Sequence, residues 1–338
     1  MTYAKVQARR VPGVAVAIVV AVVFIGAIPA GAQTYLRTIG TGQLLNPNAV
    51  AVDTANGSNV LVSDAANRRI QVFSATGTFI RTIGSGTIGF PYAVAVDTAN
   101  GSNVLVADFN NKCVEVFTAT GTLVRSITGS GANTLGAAIG VAVDTANSSN
   151  VLVADWTNSR IQVFTATGTY VRTIGSGTIG VPYAVAVDPA NGSNVLVIDN
   201  SGVDVFSATG AFIRRFAGTG ANALSNPLGI AVDTANGSNV VIGDANNNRV
   251  QVFSATGNFI GTIAGSGANA LNLPQGTAVD VANGSNVLVA DTHNNRVQVF
   301  TTSFTSPVTV PALSAWSLLA LALLLGTAGY LVLRHRHA

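Results

Sequence analysis

The feature that most constrains this chain is a unit of about 45 residues repeated six times. Val-Asp pairs end at Asp53, Asp97, Asp144, Asp188, Asp233 and Asp280, at spacings of 44, 47, 44, 45 and 47 residues. A second aspartate follows each by 11 residues, at Asp64, Asp108, Asp155, Asp199, Asp244 and Asp291. A period in this range signals a solenoid or a propeller, in which each unit buries its apolar surface against its neighbours. Within a unit, four short runs rich in β-branched and aromatic residues are separated by turn residues. In the first unit they are Val50-Ala51-Val52, Val60-Leu61-Val62, Ile70-Gln71-Val72-Phe73 and Phe79-Ile80-Arg81-Thr82-Ile83. Four antiparallel strands per unit, six times over, is the count of a six-bladed β-propeller. The first turn carries Asn-Gly in five units and Asn147-Ser148 in the third, residue types suited to the positive φ of a type I′ hairpin.

The two ends of the repeat decide between an open solenoid and a closed ring. The sixth unit stops after its third run at Val297-Gln298-Val299-Phe300, while Tyr35-Leu36-Arg37-Thr38-Ile39-Gly40 copies the fourth run. The N-terminal segment therefore completes the last blade and removes a free sheet edge. The expected fold is all-β: a six-bladed propeller of four-stranded blades closed by the N-terminal strand, with hydrophobic helices at both termini. The expected organisation is a signal peptide over 1–32, a propeller over 33–301, a linker over 302–310 and a C-terminal sorting or transmembrane tail over 311–338.

The terminal segments read as addresses. Lys5, Arg9 and Arg10 precede an uncharged apolar run from Val14 to Ile28, and Ala30-Gly31-Ala32 supplies small residues for cleavage before Gln33. An uncleaved anchor is the other reading. From Ala312 to Leu333 no residue is charged, a length sufficient to span a bilayer as a helix, and Arg334-His335-Arg336-His337 follows as the end retained in the cytoplasm. The composition fits many short strands: 9% charged residues and 36 glycines. The basic balance of the whole chain lies in these ends. Removing Lys5, Arg9, Arg10, Arg334 and Arg336 leaves 12 of 17 basic residues against all 14 acids, a net of −2. A mildly acidic, exported body argues against nucleic acid as a partner.

Two resemblances follow from motifs. The unit's Pro-x-x-Val-Ala-Val-Asp opening, Val-Leu-Val-Ala-Asp centre and Asn-x-Arg-Ile-Gln-Val-Phe close are similar to NHL repeats, which implies the six-bladed ring. Val310-Pro311-Ala312-Leu313-Ser314-Ala315-Trp316, with the apolar stretch and basic end after it, resembles the IPTL-CTERM sorting tails of bacteria. That resemblance implies surface delivery and a processing protease of the exosortase type, with Pro311, Leu313, Ser314 and Trp316 as the sorting motif. Val310 and Ala312 stand where that motif has Ile and Thr. A permanent single-span membrane anchor is the alternative reading of the same tail.

The acids themselves belong to the repeat. Twelve are the paired aspartates, and Glu115 and Asp204 stand where other units carry Gln71, Gln162, Gln251 and Gln298. A residue required six times is explained by architecture, as an acceptor for turn amides or a partner for a repeat arginine. The propeller holds one histidine, His293, against the several that a zinc lyase needs, and one glutamate, Glu115. No catalytic residue, metal site or cofactor is assigned, although a calcium ion on the aspartates and a secreted metal-dependent hydrolase or lyase are the alternatives. Cys113 reads as a small buried apolar residue. The Asn-x-Ser triplets read as turns rather than glycosylation acceptors.

Ligand recognition is expected on the face that carries the second-to-third loops and the blade-to-blade loops, because the other face repeats Asp-Thr-Ala-Asn-Gly-Ser and Ala-Thr-Gly-Thr almost unchanged. Units two and four begin Pro91-Tyr92 and Pro182-Tyr183 and lack the loop arginine present as Arg69, Arg160, Arg249 and Arg296. The candidate ligand-binding residues are Tyr92, Phe109, Trp156, Tyr183, Gln275 and His293. The expected function is an exported envelope or surface module, binding an extracellular protein or carbohydrate or serving as a scaffold. A plain surface spacer is the further alternative.

Overall fold

The computed structural model describes residues 33–301. They form six four-stranded antiparallel sheets, each a blade. The first strands of blades one to six are Pro47–Asp53, Pro91–Asp97, Ala138–Asp144, Ala184–Asp188, Pro227–Asp233 and Pro274–Asp280. In blade six the outermost strand is Thr34–Ile39, antiparallel to Arg296–Thr301 with Thr34 opposite Thr301 and Ile39 opposite Val297. The ring is thus closed across its two ends, as the copied outer strand requires.

The terminal hydrophobic helices expected from the sequence are corrected here. The only helical elements among the described residues are ten three-residue 3-10 turns, and no helix among these residues is long and apolar enough to cross a membrane. Residues 1–32 and 302–338, which carried that expectation along with the signal and sorting segments, lie outside the described residues.

The apolar core lies between blades. Strand alternation sends one side of each sheet to each neighbour, so Leu105, Val114 and Val116 of blade two pack with Val151, Val153 and Phe164 of blade three, and the same pairing recurs around the ring. Phe73, Phe117, Phe164, Phe206, Phe253 and Phe300 occupy the same position at or next to the end of the six third strands and are all fully buried. Each contributes on the order of 1.5–3 kcal/mol through the area it removes from water. On the outside, the fourth-strand arginines Arg125, Arg172 and Arg214 donate to the carbonyls of Ala166, Ala208 and Ala255 in the next blade's turn.

The first turn differs from the expected two-residue Asn-Gly hairpin. Residues 54–56 make a 3-10 turn, and the left-handed pair is Gly57 and Ser58, at φ 64° and 55°. The asparagine is freed to act through its side chain. Asn56 Nδ2 donates to Asp53 at 2.7 Å, and Ser102 Oγ of the next blade donates to the other Asp53 oxygen at 2.7 Å. The same serine-to-aspartate bond joins every neighbouring pair of blades, with Ser149 on Asp97, Ser193 on Asp144, Ser238 on Asp188 and Ser285 on Asp233. Ser58 on Asp280, at 2.8 Å, closes the belt. The first aspartate column is therefore a fastening between blades.

Close approach of backbones sets the seam between blades five and six. Gly229 and Gly243 are cross-strand neighbours, and a Cβ on either would fall 2.0 or 2.4 Å from the carbonyl oxygen of Gln275. That obstacle is backbone and cannot swing aside. Gly229→Ala is expected to destabilise the propeller by roughly 1–3 kcal/mol, read as a lower midpoint in thermal unfolding; an unchanged midpoint would mean the seam is wider than described.

Candidate functional site

The second aspartate column builds the loops around the channel mouth. All six side chains are fully buried, so each carboxylate must be met by donors. In blade three, Asp155 accepts from the Gly136 amide, Asn158 Nδ2, Arg160 Nε at 2.9 Å and Gln162 Nε2. Arg160 then reaches on to the carbonyls of Ala132 and Thr134, pinning the loop that leads into the blade. Blades one, five and six repeat this clamp through Arg69, Arg249 and Arg296 at 2.7–2.8 Å.

Blades two and four depart from it in different ways. In blade four the clamp position is Gly202 and the glutamine position is Asp204, but Arg215 from the fourth strand grips both Asp204 oxygens at 2.5 and 2.6 Å and lies 3.7 Å from Asp199. Blade two has no such replacement. Asp108 is met by the amides of Gly89, Phe90 and Asn111 and by Asn111 Nδ2, while Cys113 and Glu115 take the arginine and glutamine positions. Glu115 is 4% exposed and its Oε2 has no hydrogen-bond partner. Burial first, and the Asp108 charge second, push its carboxyl up to about 7. Burial and the same two carboxylates push the Cys113 thiol up to about 12. Cys113 is expected to stay inert to thiol reagents in the folded protein at pH 8 and to react on unfolding; fast labelling of the native state would contradict this environment.

The mouth is ringed by the residue one step after the opening proline in each unit, or its equivalent: Asn48, Tyr92, Ile139, Tyr183, Leu228 and Gln275. The channel beneath holds about 70 Å³, a few waters' worth, so a ligand of any size must lie across the mouth. From Tyr92 a run of rings extends outward. Phe90 to Tyr92, Tyr92 to Phe109 and Phe109 to Trp156 have centroids 6.2, 6.3 and 6.3 Å apart, with Trp156 38% exposed. Burial, and Tyr183 nearby, raise the Tyr92 phenol above its ordinary value, which keeps its hydroxyl protonated.

The structure brings Tyr92, Phe109, Trp156 and Tyr183 to one side of the mouth and Gln275 to the other. It does not bring His293 there: this side chain is exposed in the loop after Asp291, one position beyond the column of Phe109 and Trp156. Phe90, Asn48, Ile139 and Leu228 were missed in the sequence reading. For Asn48, Ile139 and Leu228 the signal was the column after the proline, whose apolar and amide members carry no chemical flag when read singly; Phe90 stands before its proline, outside that column. Among the described residues no three histidine, cysteine, aspartate or glutamate side chains gather as a metal-holding group. Sorting residues Pro311, Leu313, Ser314 and Trp316 lie outside the described residues.

Geometry alone defines the class: a closed β-propeller of six four-stranded blades with a narrow channel and one varied face. Similar architecture occurs in a gluconolactonase from Xanthomonas campestris, with a TM-score of 0.62 and 14% identity over 76% of this chain and 86% of that one. Hydrazine synthase of Kuenenia stuttgartiensis gives 0.59 and 14% over 77% and 97%. Virginiamycin B lyase from Staphylococcus aureus gives 0.55 and 13% over 80% and 99%. At these identities the likeness is one of fold. No sequence among curated proteins matches. Residues 224–253 and 271–300 match the NHL repeat, and residues 310–337 match the IPTL-CTERM motif. The chain is a six-bladed β-propeller bearing NHL repeats and an IPTL-CTERM motif.

Proposed function

We propose that this chain is an exported, surface-directed recognition module that binds an extracellular protein or carbohydrate across the mouth of its propeller, and that it is not an enzyme. The observation that carries the reading is the aromatic run Phe90–Tyr92–Phe109–Trp156 beside Tyr183, partly exposed on the varied face. Tyr92, Phe109 and Tyr183 are half-buried against the core of blades three and four, which holds them rigid, and Trp156 is exposed; rings so fixed offer contact area at little cost in side-chain ordering. The IPTL-CTERM motif supports delivery to the envelope, where a processing protease would act on the tail.

Against catalysis stand the assignments of the carboxylates. The twelve repeat aspartates hold turns, arginines or neighbouring blades, and Asp204 is held by Arg215. A general base or metal ligand drawn from these thirteen would have to leave one of these bonds; Glu115 alone keeps an unbonded oxygen, buried in the third strand of blade two. The gluconolactonase and the lyase of like fold make a metal-dependent hydrolase or lyase the reading to test against.

The test is a screen of the exported protein on arrays of extracellular proteins and envelope glycans, with calcium or with chelator, beside an assay for hydrolysis of esters and lactones. Chelator-insensitive binding that is lost in the Tyr92→Ala/Trp156→Ala double variant supports the recognition module. Metal-dependent turnover abolished by Asp108→Asn would replace it with the hydrolase reading.

A further inference from the structure

The mouth is chemically divided. Blades two to four contribute the ring faces of Tyr92, Phe109, Trp156 and Tyr183, whereas the adjacent blades six and one contribute the carboxamides of Gln275 and Asn48. The hydroxyls of Tyr92 and Tyr183 and the side-chain amides of Asn48 and Gln275 form no hydrogen bond with any other described residue. None of the residues that line the channel is charged, and in the loop that carries Phe109 one cation, Lys112, stands exposed three residues further on. The acids closest to it, in the second aspartate column, are fully buried and already bonded.

Each property narrows the ligand. With no cation on the channel lining and the single Lys112 on the loop beside it, phosphate-bearing and polyanionic chains meet too little positive charge to neutralise them. With no anion there, basic peptides have no partner either. Ring faces beside unpartnered amides and phenols suit a surface that alternates C–H patches with hydroxyls: the former stack, and the latter both donate and accept. With a channel this narrow, the ligand lies across the opening, along the aromatic run.

Building on the recognition reading above, we infer that the ligand is a neutral glycan chain. It stacks on the Tyr92–Phe109–Trp156 run, and its hydroxyls bond to Asn48, Gln275 and the two tyrosine hydroxyls.

The test uses the full chain carrying Trp316→Phe, which leaves Trp156 as its one tryptophan. Emission from Trp156 is followed while adding cello-, laminari- and chito-oligosaccharides, an acidic oligogalacturonate, and a mixed peptide library. The inference expects a saturable change with at least one neutral oligosaccharide and little dependence on salt. Asn48→Ala/Gln275→Ala, which leaves every ring in place, is expected to weaken that binding by about tenfold or more. Saturable binding of the peptides or the acidic oligomer alone would overturn the neutral glycan and keep the mouth as the site. Binding of any of these probes with full affinity after Tyr92→Ala and Phe109→Ala would overturn both, and silence with every neutral oligosaccharide would overturn the glycan.

Discussion

Glu115→Gln is expected to stabilise the propeller by roughly 3 kcal/mol at pH 8 and to leave it nearly unchanged at pH 4. The carboxyl of Glu115 sits beside buried Asp108 and Cys113 and below the exposed Asn111, with Ser126 opposite it on the outer strand, and no cation acts on it. Its folded value of about 7 lies above its ordinary value of 4.5. The folded state therefore holds this proton more tightly than the unfolded chain does. Its contribution to stability is complete below about pH 4.5 and is lost as the pH rises through 7. Each unit of difference is worth about 1.4 kcal/mol, which gives the figure above. Glutamine replaces the proton with a permanent amide that can donate to Asp108, as Gln71 does to Asp64 and Gln162 to Asp155. Denaturant titrations of both proteins at pH 4, 6 and 8 check it; a gain of equal size at all three would mean that packing, not the proton, limits blade two.

A disulfide between Thr34→Cys and Thr301→Cys is expected to form on export and to raise stability by roughly 3–5 kcal/mol. The two residues are directly opposed in the register of blade six, and opposed antiparallel residues, about 4.5–5.5 Å apart at Cα, fall within the range for a disulfide. They lie 267 positions apart, so the bridge encloses nearly the whole propeller and removes much of the unfolded chain's freedom. Cys113, buried in blade two, does not compete. Non-reducing electrophoresis followed by thermal unfolding with and without reductant gives the answer. Failure of the bridge to form in folded protein would mean that the N-terminal strand does not close the ring.

Closure was legible because Tyr35-Leu36-Arg37-Thr38-Ile39 repeats an outer strand found five more times. A subtler agreement lies at Gly261, which takes the place of the fourth-strand arginine in blade five. In blades two to four that arginine bonds the next blade's third turn. After blade five the next blade has no such turn, since its third and fourth strands come from opposite ends of the chain. The arginine is absent where its acceptor is absent. The aspartates were likewise readable as architecture, although their fastening of blade to blade through Ser58 and its counterparts was not, because that contact depends on the left-handed turn placing the serine.

The site was legible only in part, and the reason is radial position. Repeat alignment says which residues share a column but not how far a column stands from the axis. Phe109 and Trp156 share one column and His293 falls in the next, so one step along a loop separates the aromatic run from an exposed side chain. Asn48, Ile139 and Leu228 share a column with Tyr92, Tyr183 and Gln275, and only the ring's curvature brings all six to one opening. The trouble in blade two needed the register as well: Cys113 opposes Asp108, which places Glu115 on the same face of the sheet with no arginine between.

Besides Trp156 at the mouth, Phe79, Leu123 and Phe212 stand exposed on the outer strands at the rim. The most direct measurement is array binding by the exported protein carrying Tyr92→Ala/Trp156→Ala, set beside one carrying Phe79→Ala/Phe212→Ala, with circular dichroism establishing that both are folded. Recognition at the mouth predicts that the first pair loses binding and the second keeps it. Binding that survives the mouth pair and disappears with the rim pair would contradict it.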